Sequence, residues 1–320
     1  MLTPLNRRQA MLAAIATTTA IATTTAGCLP ASSSSSGVLE ETWGARGERK
    51  GLFQKPRAIT IDSRDRLYVV DMTGRVQVFD RDGLFQRAWR TPTIDNGKPS
   101  GLAMSNDGLV MVADTHYFQV LFYTVDGEPL KARTLGGTNG NGPGAFNFVT
   151  DVVQDSQDNY YISEYGEVDR IQKLSPDGEF RCQWGTQGMG KGQFQRPNSL
   201  AMGPNDHLWV ADSCNHRIQV YDVRPTTPKL VTQWGKHGHD PGELRYPYDL
   251  LLTDDDNLIA VEFGNHRVQK FTLDGQSIAV FGSAGREEGQ FTQPWGAALD
   301  SRSRLHVLDS YNHRIQRIRI

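Results

Sequence analysis

Six acidic residues recur through the chain at near-regular spacing: Asp71, Asp114, Glu164, Asp212, Glu262 and Asp309, at intervals of 43 to 50 residues. A ring of carboxylates could hold a hard divalent cation or serve as general acid and base. The repetition points elsewhere, because a group needed once for catalysis has no reason to return in every copy. An acid that accepts turn N–H groups, or pairs with a following arginine, does return. Arg75, Arg170, Arg217, Arg267 and Arg314 stand at matching places, so a structural role is expected. His216, His266 and His313 also share one position in successive copies, and separate copies keep three such imidazoles from converging on zinc. His237 and His239 remain as a weak metal clip.

More informative are positions that differ between copies. Directly after a proline, or the residue in its place, stand Arg57, Ser100, Thr150, Asn198, Tyr248 and Trp295, and Asp151 and Asp249 follow two of these. A cation, two acids, an amide, hydroxyls and two aromatics form the mixture expected of a binding pocket. These eight are the candidate ligand-binding rim. No catalytic residue is assigned, since the chain has no Gly-x-Ser-x-Gly nucleophile elbow. No cofactor is expected; a divalent metal on Asp151, Asp249 and Glu164 is kept as an alternative. Cys182 and Cys214 are expected to be idle thiols, with a disulfide between them as the second reading.

The elements that must position these residues are visible as copies of one unit. FQRPNSLAMGPNDHLWVADSCNHRIQVYD from Phe194, LRYPYDLLLTDDDNLIAVEFGNHRVQKFTLDG from Leu244 and FTQPWGAALDSRSRLHVLDSYNHRIQRIRI from Phe291 superpose almost without gaps, and three looser copies begin at Phe53, Lys98 and Phe146. Within a copy the pattern is strand, polar turn, strand, loop, strand, Asp-Gly turn, strand. Asp82-Gly83, Asp126-Gly127, Asp177-Gly178 and Asp274-Gly275 offer the positive backbone angles of tight hairpins. The interval matches the roughly 40 to 50 residues of a four-stranded propeller blade. The fold class is therefore all-β, a six-bladed propeller of four-stranded antiparallel blades. The last copy stops at Ile320 after its third strand, whereas VLEETWG at Val38 to Gly44 looks like a surplus fourth strand; residues 38–44 are expected to complete the last blade and close the ring.

The copies resemble NHL repeats, with Asn-His-Arg whole at Asn215 to Arg217, Asn265 to Arg267 and Asn312 to Arg314. The first three copies depart, with Gly74 and Arg75, Phe118 and Gln119, and Asp169 and Arg170 at the His-Arg places. The resemblance covers residues 38–320 and implies the propeller; it is nearly silent on function, since that family includes enzymes, protein-binding and RNA-binding modules. In its peptidyl-amidating lyases, histidines after the blade-starting proline hold zinc. None of the six positions here is histidine, so that chemistry is not expected.

Residues 1–27 read as an export signal, with a basic start, an Ala/Thr stretch and small residues before Cys28. Six threonines between Thr17 and Thr25 make it a poor span. The ending Thr25 to Cys28 resembles a bacterial lipobox, which implies lipidation of Cys28, and Arg7 and Arg8 resemble a twin-arginine signal. Residues 28–37 are a serine-rich tether. These features place the domain in the bacterial cell envelope, lipid-anchored, in the periplasm or outside the cell. The net charge of -2, with 34 basic and 36 acidic residues, argues against nucleic acid as a partner. The expected function is an exported, monomeric binding or scaffold module whose top face takes a protein, peptide or small ligand. An enzyme is the less expected reading; its alternative form is a metal-dependent hydrolase or lyase with its site at the channel mouth.

Overall fold

A computed structural model describes residues 37–320; the export signal, Cys28 and the tether up to residue 36 lie outside the described residues. The chain forms six four-stranded sheets, each antiparallel. In blade four the strands are Pro197–Gly203, His207–Asp212, Arg217–Asp222 and Lys229–Trp234, innermost to outermost. The innermost strands of the others begin at Pro56, Gly101, Phe148, Pro247 and Ala297. The ring closes as expected. Val38–Trp43 lies antiparallel to Arg314–Arg319, with Trp43 opposite Ile315 and Val38 opposite Arg319, and so supplies the outer strand of blade six.

Propeller blades bury both faces, which is why the second and third strands are largely buried, the glutamines of the third strand included. The core falls into six clusters, each filling the space between two neighbouring blades. Phe291, for example, is fully buried between blades five and six. Its ring lies so close to Gly282 that a Cβ there would come within 2.5 Å, and Gly282 has φ +96°. Both constraints require glycine, and they account for the Gly that ends the fourth strand in copy after copy.

The recurrent acids are structural, as their repetition implied. Asp212 is fully buried; it accepts from the Gln195 N–H at 2.7 Å, Asn215 Nδ2 at 2.9 Å, Arg217 Nε at 2.7 Å and Gln219 Nε2 at 3.0 Å. Arg217 then donates to the carbonyls of Met189, Gly190 and Gln193, clamping the loop that enters the blade. Glu262 with Arg267 and Asp309 with Arg314 repeat this arrangement at 2.7 Å. Glu164 does the same with Arg170 and Gln172, which removes it from the set of channel-mouth metal ligands proposed for it.

The motif histidines clasp one blade to the next. His216 Nδ1 accepts from the N–H of Tyr246 at 3.1 Å, His266 Nδ1 from Gln293 at 2.9 Å and His313 Nδ1 from Lys55 at 3.1 Å. Each of those donors precedes a proline and is left-handed, with φ of +51°, +50° and +49°. An accepting Nδ1 must be unprotonated, and burial lowers all three imidazoles, His216 to about 4.

Candidate functional site

The strand-starting residues point into the axial channel, and the six innermost strands carry them to one end of it. All eight predicted rim residues, Arg57, Ser100, Thr150, Asp151, Asn198, Tyr248, Asp249 and Trp295, line a single recess together with Ser199 and Gly296. The recess is narrow, with about 40 Å³ open to a water-sized molecule, so only a small group of a ligand reaches its floor.

Three of the eight use their polar atoms within the protein wall, two of them on the next blade and Ser100 within its own. Thr150 Oγ1 donates to the Pro197 carbonyl at 2.6 Å, Asn198 Nδ2 to the Tyr248 carbonyl at 2.8 Å, and Ser100 shares a hydrogen bond with Thr115 at 2.6 Å. These shape the wall. The floor is a chain of groups across three blades: Ser199 Oγ donates to Asp249 Oδ1 at 2.9 Å, while Asp151 Oδ2 accepts from the Leu200 N–H at 2.9 Å. The Ala297 N–H donates to Asp249 Oδ2 at 2.8 Å, so each carboxyl bridges to the next blade. Both carboxyls are surrounded by protein yet reach the channel. Desolvation raises Asp151 to about 7, the nearby Asp249 adding to the rise, and desolvation raises Asp249 to about 6. Two carboxyls that titrate near neutrality can exchange a proton with a bound molecule, one as acid and one as base.

The aromatic wall consists of Tyr248, stacked on Phe263 at 4.4 Å between ring centroids, with Trp295 edge-on to Tyr248 at 5.1 Å. Tyr248 and Trp295 are each only 9% exposed, so they form a pocket lining and no flat docking patch. The guanidinium of Arg57 lies 4.6 Å from the centre of the Trp295 ring, and that of Arg196 lies 4.7 Å from Tyr165. Arg196, Tyr165 and Phe263 were missed in the sequence. The signal for the two aromatics was present one place after the acid: Ser213 and Ser310 there donate to the next blade's carbonyls of Pro247 and Pro56, and Tyr165 and Phe263 break that pattern.

The metal reading does not fit this donor set. Asp151 and Asp249 have their oxygens on backbone N–H groups and Ser199, Glu164 is held elsewhere, and among the described residues no group of three or more His, Cys, Asp or Glu is placed to hold an ion. The rings of His237 and His239 lie 6.4 Å apart, and Nδ1 of the adjacent His216 is engaged by Tyr246. Cys182 and Cys214 are free thiols, both raised by burial.

Comparison with known proteins places this geometry. The NHL repeat model matches residues 194–221 and 291–318. NHL repeat-containing protein 3 of Mus musculus is 30% identical over 181 residues, 51% of either chain. The chain thus spans about half the length of the curated relatives it matches. Among solved structures, virginiamycin B lyase from Staphylococcus aureus shares the fold with a TM-score of 0.62 over 89% of this chain and 99% of the lyase, at 13% identity. A putative gluconolactonase does so with a TM-score of 0.64 over 87% and 92%, at 15% identity. A lyase and a putative gluconolactonase are thus built on this same six-bladed frame, which corrects the expectation, drawn from the sequence, that an enzyme is the less expected reading. Residues 38–320 are a six-bladed β-propeller that carries NHL repeats at residues 194–221 and 291–318.

Proposed function

We propose that the propeller is an enzyme of the lyase or hydrolase class, acting on a small molecule in the channel-mouth recess by acid–base chemistry between Asp151 and Asp249. The observation that carries this reading is the pair itself: two carboxyls on the inner strands of blades three and five, with Ser199 of blade four between them, raised to about 7 and about 6. Near neutral pH such a pair holds about one proton, so a donor and an acceptor are present together. Backbone N–H groups at the floor of the recess fix both carboxyls in place. The likeness in fold to a virginiamycin B lyase and a putative gluconolactonase supports the class, and suggests cyclic esters as first substrates.

The test is turnover of a panel of simple lactones and a cyclic depsipeptide by the purified domain, with a chelator present. Activity that survives chelation and falls about 100-fold or more in Asp151→Asn and in Asp249→Asn supports the proposal. Turnover unchanged in both variants, or none on any member of the panel, defeats it.

The bacterial envelope location, with a lipid on Cys28, belongs to the same proposal; its support is the segment Arg7 to Cys28 and the serine tether behind it. Radiolabelled palmitate should enter the full chain and not Cys28→Ala. Equal labelling of both would remove the anchor, and the envelope assignment would then rest on the export signal alone.

A further inference from the structure

Every arginine of the repeat network is paired: Arg75, Arg170, Arg217, Arg267 and Arg314 each meet a buried acid within 3.1 Å. Two arginines at the channel mouth are not. Arg57 and Arg196 form no ion pair and donate no side-chain hydrogen bond among the described residues, and the Nε of each is buried without a partner. They are also close enough to repel, Arg196 helping burial to lower Arg57. Holding two like charges this close is costly; the buried Asp169 carboxylate offsets Arg196 in part, whereas no carboxylate acts on Arg57. Ring faces flank them as well: Trp295 beneath Arg57, and Tyr165 and Tyr248 within 4.7 and 5.6 Å of Arg196. These hold the guanidinium planes by cation–π contact and leave their outer donors free.

We propose that Arg57 and Arg196 are an anion clamp, and that the ligand of the recess is a small organic acid whose carboxylate or phosphate bridges the two guanidinium groups while a flat apolar body lies on Tyr248, Phe263 and Trp295. Arginine suits this task, because its planar fork meets either oxyanion with paired hydrogen bonds. The clamp lies at the rim and the carboxyl pair at the floor, so a molecule held by its acidic head offers its other end to Asp151 and Asp249. The inference rests on reading the recess as a small-molecule site, and not on turnover there.

The experiment is calorimetric titration of the purified chain with benzoate, phenyl phosphate, benzyl alcohol and benzylamine at low salt, with heparin as a long polyanion. One or both small anions should bind, with affinity lowered at least tenfold in Arg57→Gln and in Arg196→Gln and partly restored in Arg57→Lys. The thermal midpoint of Arg57→Gln should be equal to or above that of the parent, since no carboxylate acts on Arg57; a fall of several degrees in that variant would mark a structural role and overturn the clamp. Binding of benzyl alcohol as tight as that of the anions, or binding of heparin alone, would also overturn it. The two readings fail separately. Small anions that bind without any turnover retain the clamp and remove the enzyme, whereas turnover with KM unchanged in both arginine variants retains the carboxyl pair and removes the clamp.

Discussion

Deleting Val38–Trp43 should destabilise the propeller by on the order of 5 kcal/mol, a large share of the ~5–15 kcal/mol that holds a typical domain together. The strand completes blade six by pairing along Arg314–Arg319, and its loss exposes that strand's N–H and C=O groups as an open edge. Each lost backbone hydrogen bond costs about 0.5–1.5 kcal/mol. Trp43 adds to this, because its ring sits 4.7 Å from Phe79 and 5.8 Å from Phe53 in the cluster that joins blade six to blade one. The ion pairs of Glu40 and Glu41 with Arg317 and Arg319 are partly exposed and contribute little. The expected result in urea is a midpoint shifted far down, or loss of a single cooperative transition. Moving residues 38–44 to follow Ile320 through a short linker should restore the parent midpoint, since the strand then enters the same place from the other side. A deletion variant as stable as the parent would mean that the ring does not depend on this closure.

How much of this was legible depends on whether a feature repeats. The acids, their arginines and the hairpin glycines could be assigned because six imperfect copies fix one another's register, and the surplus strand at Val38 followed from counting strands. The rim residues were legible for a related reason: the strand-starting proline marks where a side chain enters the channel, so Arg57 or Trp295 could be placed without coordinates. Residues whose role depends on the next blade were not legible. Ser199 looked unremarkable until its hydroxyl proved to bond Asp249, with Asp151 on its other side, from the inner strand between theirs. The clasp formed by His216, His266 and His313 was equally hidden, because its partner is a main-chain N–H about 27 to 30 residues away, or across the closure of the ring.

Blade two already contains the outcome of a substitution that can be made in blade four. Its acid, Asp114, is 1% exposed, but Gln119 stands where the other blades have arginine; Oδ1 has no partner and burial raises the group to about 6 from an ordinary 3.8. Asp212 sits in the same fold position with Arg217 bound at 2.7 Å, and burial raises it even so. Removing the arginine leaves an uncompensated buried charge, so Arg217→Gln should cost about 3–5 kcal/mol at pH 7, the usual consequence of breaking a buried pair from one side. Lost bonds to the carbonyls of Met189, Gly190 and Gln193 add to the cost by freeing the entering loop. The pH dependence separates the charge from the loop. A carboxyl whose folded value is raised binds its proton more tightly in the native state than in the unfolded chain, so its penalty is absent below the unfolded value and grows as pH rises through the folded one. The penalty of Arg217→Gln should therefore be larger at pH 7.5 than at pH 4, with the remainder at pH 4 reporting the loop. Asp114→Asn should show the opposite sign, a gain of about 1–3 kcal/mol at pH 7.5 that vanishes near pH 4. Urea unfolding of the two variants and the parent at both pH values measures all four quantities. A penalty for Arg217→Gln that does not change with pH would show that the arginine acts only through the loop carbonyls, and that the buried acid does not require its charge.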